Sequence, residues 1–467
     1  MCVFLTIFLA ALGACIGSFL NVVIYRLPRG LSVSQPRRSF CPSCQSRIEW
    51  YDNIPVVSWL ALRGRCRCCR RPISLQYPLI ETAAVVLTML VWHAGRRLCG
   101  DLPIDACWPM VVGTLGLFYC LLGLSAMDLE EYYVDIRLTW LALLIGLVCH
   151  AISPPQVWPA AVYVSPGSSA FAFGCTIVLA LLNRLWPMPE EQPITEQVLE
   201  GDGQGAPVQA APSTQEPPAS ARPGPILFVS LLTVAAIVIV AAETVSCGIG
   251  PAWPAYWLVI AAGLAVLFVS ILAGSWLPTE ADEAIAEAVE SERPQAVRLA
   301  VRETLMLLAT VAGGIGLMWL VGTELGSGFW LSLFAWTPWE CGQPVAGLST
   351  ALFGWILAGG ICWLIRVLFT LALRKEALGF GDIHIIAAVG AVLGPYLAIA
   401  GFFLAAPVAL LGTAVLIFRK NYRTLPFGPW LSVGFLLALL WGRGLLDYLA
   451  AGLAGLRLAL GGPGTGG

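Results

Sequence analysis

Long runs of uncharged, apolar residues dominate this chain, and each is long enough to cross about 30 Å of hydrocarbon as an α-helix. Of the 467 residues, 58% are hydrophobic and 12% are charged, and the mean hydropathy is +0.80. Soluble domains average about 25% charged residues. The sequence therefore predicts an all-α polytopic membrane protein with about twelve transmembrane helices.

The predicted spans follow the apolar runs from one end of the chain to the other. They cover residues 3–25, 79–95, 108–127, 137–153, 167–186, 225–247, 254–277, 304–322, 349–373, 383–395, 397–418 and 429–447. The formal net charge of −2 gives no basic surface for nucleic acid, so we expect no nucleic-acid partner.

The sidedness of the spans is predicted from their connecting segments. Threading the spans alternately through a bilayer places segment 26–78 on the same side as Asp128 and Asp382. Lys and Arg are concentrated on that side, whereas the opposite loop 323–348 has none. The positive-inside rule therefore predicts that this side is cytoplasmic.

Two Cys-x-x-Cys pairs lie between the first two predicted spans. They are Cys41/Cys44 and Cys66/Cys69, with 21 residues between the pairs. Pairs at this spacing can supply four thiolates in a tetrahedron, as a structural Zn²⁺ requires. Two disulfides or plain thiols are the alternative, but a cytoplasmic position favours zinc. The spacing does not place Cys68, and we expect the other cysteines to be single core residues.

Two carboxylates stand at the borders of apolar runs. Asp128 follows one run, and Asp382 ends the motif Gly379-Phe-Gly381-Asp382 before another. A carboxylate at a membrane edge is costly to desolvate, so each is a functional candidate, although a helix N-cap is the ordinary alternative. Asp135 has the same alternative, and His384 is either a local hydrogen-bond partner or an interfacial residue.

A pair of close carboxylates has a defined chemistry. Two like charges a few Å apart cannot both ionise, so one Asp holds a proton while the other is an anionic base. The base can deprotonate a water molecule and the acid can polarise a scissile carbonyl. The sequence leaves open which of Asp128 and Asp382 has which role.

Four sequence blocks resemble the type IV prepilin peptidases that also carry N-methyltransferase activity. The blocks are GSFLNVVIYRLP at residues 17–28, the cysteine pairs with YDNIP at 51–55 between them, YPLIE at 77–81, and GFGD at 379–382. A closing PFGP at 426–429 is also similar to the family. The family's GxGD motif belongs to intramembrane aspartic proteases, and its two catalytic aspartates map onto Asp128 and Asp382.

The resemblance implies cleavage of the leader of type IV prepilins or pseudopilins, as used in type IV pili and type II secretion. It also implies methylation of the new N-terminus with S-adenosylmethionine, in a bacterial inner membrane with the active site facing the cytoplasm. It maps zinc onto the two cysteine pairs. Substrate or methyl-transfer candidates, each with a plain structural alternative, are Asn21, Arg26, Asn53 and Glu81.

The chain departs from the family in three ways. Val134-Asp135-Ile136 stands where the family has Pro-Asp, and His384 replaces a common Lys. Asp128 and Asp382 are 254 positions apart, which we explain by an insertion of about four spans. An even number of crossings keeps both aspartates on one side.

This interpretation divides the chain into six regions with the following contents. They are a first transmembrane helix (1–25), a cytoplasmic tetra-Cys zinc domain (26–78), peptidase helices with the first Asp (79–153), inserted helices (154–345) with a disordered linker (187–224) and an acidic helix (279–303), peptidase helices with GxGD (346–450), and a flexible tail (451–467).

Two other functions were weighed. A transporter could use Asp128 and Asp382 as proton-coupling groups, but it should carry polar residues in the middle of several spans, and apart from Arg366 these are scarce. A membrane-anchored zinc or thiol protein would need far fewer spans.

Overall fold

A computed structural model describes most of the chain outside the central region and the C-terminal end. The described residues are 2–35, 39–41, 43–99, 104–131, 134–152, 166–185, 281–322, 343–373, 378–417 and 427–441. The predicted linker 187–224, the spans 225–247 and 254–277, and the tail 451–467 lie outside them.

The described residues form α-helices joined by short segments. The helices are α1 (Cys2–Arg26), α2 (Val57–Ala61), α3 (Gln76–Cys99), α4 (Ile104–Glu131), α5 (Ile136–Ile152), α6 (Pro166–Leu185), α7 (Ala281–Gly322), α8 (Gln343–Leu373), α9 (Phe380–Leu393), α10 (Pro395–Ile417) and α11 (Gly428–Trp441). A 3₁₀ turn covers Trp50–Asn53.

Six of the described helices, α1, α3, α4, α6, α7 and α8, are long and apolar enough to cross a membrane. Helices α5, α9 and α11 and the Pro395–Leu410 part of α10 are apolar but shorter. Exposed side chains on α1 include Phe4, Ile7 and Phe8, as expected where the solvent is lipid rather than water. The prediction of an all-α polytopic membrane protein is confirmed.

The main core is formed by α1, α3, α4, α9, α10 and α11, with part of α5 and α8. Its largest fully buried side chains include Trp430, Phe118 and Phe435. Helices α8 and α9 pack closely where Gly354 meets the backbone of Gly390. Small residues at a helix crossing let two backbones approach, and this dispersion contact replaces the hydrophobic effect inside a bilayer.

A second, smaller core joins α6 and α7 to α8 and α9. Met306, Trp363, Val367 and Ile383 are buried in it. Helices α6 and α7 come from the predicted insertion, so inserted sequence packs against α8 and shares a core with the helix that begins with the GFGD motif.

The structure joins two elements that the sequence analysis separated. The acidic helix predicted at 279–303 and the span predicted at 304–322 form one 42-residue helix, α7. No glycine or proline lies between Val297 and Ala312, so nothing in the sequence ends the helix at that border.

The expectation that the remaining cysteines are single core residues is wrong at three positions. Cys99 at the end of α3 is joined by a disulfide to Cys107 near the start of α4. Cys15 is exposed on α1. Helical periodicity places Cys15 on the outer face of the bundle, and the short α3–α4 connection brings the other two together. Cys120, Cys175 and Cys362 are buried, as expected.

Candidate functional site

The two cysteine pairs form two turns of the same design. An isolated β-bridge closes each turn, Phe40 with Arg47 in the first and Arg65 with Pro72 in the second. The residue after each second cysteine has a positive φ, which is 57° at Gln45 and 60° at Arg70. These left-handed residues turn the chain back, so both cysteines of a pair point to the same side.

The four sulfur atoms of Cys41, Cys44, Cys66 and Cys69 lie within 4.8 Å of one another. The sulfurs of Cys41 and Cys69 are 3.9 Å apart. A tetrahedral zinc with Zn–S bonds of about 2.3 Å separates its sulfurs by about 3.8 Å, so this group fits the ion. Cys68 is exposed and outside the group.

The thiols of the group differ in their ease of ionisation. A 3.0 Å hydrogen bond with the Ser46 hydroxyl lowers the pKa of Cys44 to about 6. Burial raises the pKa of Cys41 to about 12. Because metals bind thiolates, a metal at neutral pH must displace the proton of Cys41.

An ion pair fastens the segment between the cysteine pairs to the second turn. Arg67 donates to both carboxylate oxygens of Asp52, with Nε–Oδ2 and Nη2–Oδ1 distances of 2.7 and 2.6 Å. These hydrogen bonds hold the pKa of Asp52 below its usual range. The guanidinium also lies 5.5 Å from the ring centre of Tyr51. The YDNIP block is thereby held against the metal-binding turns.

The four-cysteine domain meets the membrane helices at Glu81. This buried carboxylate on α3 accepts a 2.6 Å hydrogen bond from the backbone N–H of Val56. Val56 has φ 60°, which is strained for a β-branched residue. On the other side of Glu81, Gly17 of α1 packs against its backbone, with no room for a side chain. Three of the four resembling blocks therefore meet at this carboxylate.

Two further candidates lie at the same border. The Asn21 side-chain amide donates to the carbonyl of Tyr77 at 3.1 Å. The Arg26 guanidinium donates to the carbonyls of Ser32, Val33 and Gln35 at 3.1 to 3.2 Å. Both side chains thus make contacts within the protein. Asn53, by contrast, is exposed at the end of the 3₁₀ turn.

Asp128 lies at the C-terminal end of α4 and is 8% exposed. Its Oδ2 accepts a 2.8 Å hydrogen bond from the backbone N–H of Gly428, the first residue of α11. Nearby, the hydroxyls of Ser125 and Ser432 are 2.7 Å apart and link the same two helices. A Cβ at position 428 would lie 2.8 Å from Asp128 Oδ2, so only glycine fits without displacement.

Asp382 lies in the first turn of α9 and is also 8% exposed. Gly379 is the N-cap of that helix, and a Cβ there would lie 3.3 Å from Asp382 Oδ2. Each carboxylate therefore has a glycine beside it, which keeps side chains out of the space next to its oxygen atoms.

Two contacts place both carboxylates at the same end of the bundle. Gly381, next to Asp382, packs against the side chain of Val134, six residues beyond Asp128. The Arg137 guanidinium donates to the carbonyl of Leu27, where the four-cysteine domain begins, at 3.1 Å. The carboxylate end is therefore the end that carries the four-cysteine domain.

The remaining site candidates, Asp135 and His384, also lie at this end. Asp135 is fully buried and caps α5, because its Oδ1 accepts the backbone N–H of Arg137 at 2.9 Å. Its other oxygen pairs with the Arg137 guanidinium at 2.6 Å. The His384 ring makes an edge contact with Phe380, at 5.0 Å between ring centres.

Sequence reasoning missed three contributors to this region. Gly428 was noticed only as part of the PFGP block, not as a partner of Asp128. Arg366 was noted as a charge within an apolar run, which is itself a signal of function. Glu303 gave no signal, since it is the last of several acidic residues in the segment 279–303.

Together, the fold and the site describe a multi-pass α-helical membrane protein with four clustered cysteines and two buried carboxylates at the same end of the bundle. Residues 11–94 match the family described as the bacterial Peptidase A24 N-terminal domain. The chain is similar to this family over that segment and to the curated relatives that follow.

Three curated relatives carry the name prepilin leader peptidase/N-methyltransferase. The protein of Myxococcus xanthus is 43% identical over 142 residues, which cover 30% of this chain and 39% of the relative. Those of Pectobacterium carotovorum and Klebsiella pneumoniae are each 40% identical over 30% of this chain, and 55% and 61% of their own lengths are covered. The chain thus matches about two fifths to three fifths of each relative, and no solved structure matches it.

Proposed function

We propose that the chain is a membrane aspartic endopeptidase that cleaves the leader peptide of type IV prepilins or pseudopilins at the cytoplasmic membrane face. The observation that supports the proposal is that Asp128 and Asp382 lie at the same end of the bundle, each buried and each beside a glycine. The names of the relatives support the substrate class.

The chemistry proposed for the two carboxylates needs no covalent intermediate. The anionic Asp takes a proton from water as the water attacks the scissile carbonyl, and the protonated Asp donates a hydrogen bond to the developing oxyanion. The C–N bond then breaks as the leaving amine takes the proton that the first Asp removed from water. Gly379 and Gly428 leave space for a peptide backbone beside the carboxylates.

The position of the ionisable groups argues against the transporter alternative. A proton-coupled pathway needs such groups across the thickness of the membrane. Near the other end of the bundle the described residues include a buried histidine, His150, whereas the buried Asp, Glu and Arg side chains lie towards the carboxylate end. They are Arg26, Glu81, Asp128, Asp135, Glu303, Arg366 and Asp382.

A cytoplasmic position of the carboxylate end is supported by two sets of cysteines. Helix α3 begins at the four-cysteine domain and ends at Cys99, about 36 Å away for 24 residues at 1.5 Å each. The Cys99–Cys107 disulfide at that far end suits the oxidising side of a bacterial inner membrane. The four clustered thiols suit the reducing side.

We assign Zn²⁺ to Cys41, Cys44, Cys66 and Cys69, where it would act as a structural ion. Four thiolates fill its tetrahedral shell and leave no position for substrate. Metal binding would supply much of the folding free energy of this small domain.

We further propose that the new N-terminus is methylated with S-adenosylmethionine, as the names of the relatives indicate. Asn21, Arg26 and Glu81 hold the four-cysteine domain against α1 and α3, and we derive no contact with the methyl donor from them. They would act by shaping the domain, whereas Asn53 is exposed and accessible to a ligand.

The experiment is incubation of the full-length protein, purified in detergent, with a prepilin and S-adenosylmethionine, followed by mass analysis of the product's N-terminus. We expect a pilin shortened by the leader. When the methyl donor is present, the product should be heavier by about 14 Da, because methylation replaces one hydrogen by a methyl group. A prepilin that stays intact would refute the peptidase, and a cleaved but unmethylated product would refute only the methyltransferase.

A further inference from the structure

A charged pair is buried where the inserted helix α7 meets α8. Glu303 of α7 is 1% exposed and Arg366 of α8 is 2% exposed. The Glu303 carboxylate accepts hydrogen bonds from Arg366 Nε at 3.1 Å and from Arg366 Nη2 at 3.2 Å. The indole N–H of Trp363 donates to the same carboxylate at 3.1 Å.

The third nitrogen of this arginine points to the GFGD motif. Arg366 Nη1 donates to the carbonyl of Leu378, the residue immediately before Gly379. The guanidinium carbon also lies 5.8 Å from the ring centre of Phe380, and the Trp363 ring meets the same phenylalanine edge-on at 6.3 Å. One side chain thus connects the inserted helix to the turn that carries Asp382.

The turn has no side-chain cap at the start of α9. Its N-cap is Gly379, which has no side chain with which to cap α9, and no side-chain cap bond is made there. The guanidinium of arginine is planar, so its N–H groups have fixed relative directions. Because Nε and Nη2 of Arg366 are held by Glu303, the direction of Nη1, and with it the position of the Leu378 carbonyl, is also fixed. Asp382 follows one helical turn later.

We propose that Glu303 and Arg366 position the Gly379–Asp382 turn, and that the insertion thereby supplies a positioning residue to the carboxylate site. This inference rests on the proposed peptidase function. Buried charge is costly within a bilayer and is retained where it has a use. If the Glu303–Arg366 pair only joined α7 to α8, the hydrogen bond from Arg366 Nη1 to the Leu378 carbonyl would not be needed.

The test compares cleavage kinetics of the full-length protein with those of a double variant, Glu303→Gln with Arg366→Gln. Removing both charges leaves no uncompensated ion, so folding is expected to survive. The glutamine side chain is two bonds shorter than that of arginine and has a single donor nitrogen, so it cannot span from the residue at 303 to the Leu378 carbonyl. We expect kcat to fall by about 10- to 100-fold with KM within about twofold, because a misplaced catalytic group costs rate and not substrate affinity.

Three further measurements separate positioning from stability. The unfolding midpoint in detergent and the zinc content should equal those of the unmodified protein. Methylation of a pilin peptide that already lacks its leader should also be unchanged, since it does not use Asp382. Thr310→Val is the matched control, because Thr310 is a buried polar residue of the same helix that bonds only to the carbonyl of Met306 in its own turn.

If the double variant does not fold, a second variant tests whether Arg366 positions the Gly379–Asp382 turn. Arg366→Lys keeps the charge opposite Glu303 but lacks the fork, and it too should lower kcat. A folded double variant with unchanged kcat, or a Lys variant with unchanged kcat, overturns the inference. An unmodified protein that leaves prepilin intact would instead refute the peptidase on which the inference rests.

Discussion

The four-cysteine domain and the two-carboxylate site lie at the same end of the bundle, but they are assembled in different ways. The cysteines come from two local turns, with Cys41 and Cys69 only 28 positions apart. Asp128 and its backbone partner Gly428 are 300 positions apart. The first site is formed by hydrogen bonds within each turn, whereas the second depends on packing among α4, α9 and α11.

This difference predicts which changes each site tolerates. A local metal site should survive changes in the helix bundle, because its ligands are held by their own turns and by the ion. The carboxylate site should respond to changes in any helix that holds it, including α7 from the insertion. The two sites can therefore be lost separately.

The largest effect is expected from removing either carboxylate. Asp128→Asn or Asp382→Asn is nearly isosteric but cannot cycle a proton, so leader cleavage should fall by about 10⁴-fold or more. Zinc content should not change. Mass analysis of the pilin product checks the first statement and a metal assay the second.

The matched control is Glu49→Gln, which makes the same kind of change at an exposed carboxylate. It should cleave prepilin at the normal rate. Retained cleavage in the Asp128 or Asp382 variant would show that the residue takes no part in catalysis. The contrast between a metal site and a carboxylate site would then no longer hold.

The second effect concerns the metal. Replacing Cys41 and Cys44 together by serine removes two of four ligands, so bound zinc should be lost and the small domain should unfold locally. Elemental analysis of the purified protein measures the zinc. Cys68→Ser is the control, since this exposed cysteine lies outside the group and its loss should leave zinc unchanged. Equal zinc in the double variant would refute the ligand assignment.

The features that could be predicted from the sequence, the spans and the four-cysteine group, are those that depend on local patterns. The spans were predicted because hydropathy is a property of each segment alone, and the metal group because both Cys-x-x-Cys turns fold through their own hydrogen bonds. The roles of Asp128 and Asp382 remain predictions, although their common sidedness followed from counting the crossings.

Contacts between distant helices could not be read in the same way. The Gly428 hydrogen bond and the Glu303–Arg366 pair each depend on which helices are neighbours. Neither period nor spacing in one sequence fixes that choice. The fused helix α7 was missed for a related reason, because a change from acidic to apolar composition does not by itself end a helix.

A smaller effect is expected from the glycine beside Asp128. In Gly428→Ala the new Cβ would lie 2.8 Å from Asp128 Oδ2, so the carboxylate must shift, and cleavage should slow by about 10- to 100-fold. Zinc content and methylation of a leaderless peptide should stay normal. Gly360→Ala is the control, since a Cβ at that position meets nothing within 4 Å. Equal rates for the two variants would show that Asp128 is not held by this contact.

The smallest effect is expected from removing the Cys99–Cys107 disulfide, and labelling of Cys68 then tests on which side of the membrane both sites lie. Replacing Cys99 and Cys107 together by alanine should cost about 2 to 3 kcal/mol of stability, the usual value for a short disulfide loop, and should leave cleavage intact. Because Cys68 is exposed, a membrane-impermeant thiol reagent should leave it unlabelled when applied from outside the inner membrane and should label it in inside-out vesicles. Labelling of Cys68 from outside would show that the carboxylate end faces away from the cytoplasm, because Cys68 and the carboxylates share one end of the bundle. The proposed cleavage would then lie on the wrong side for a cytoplasmic leader.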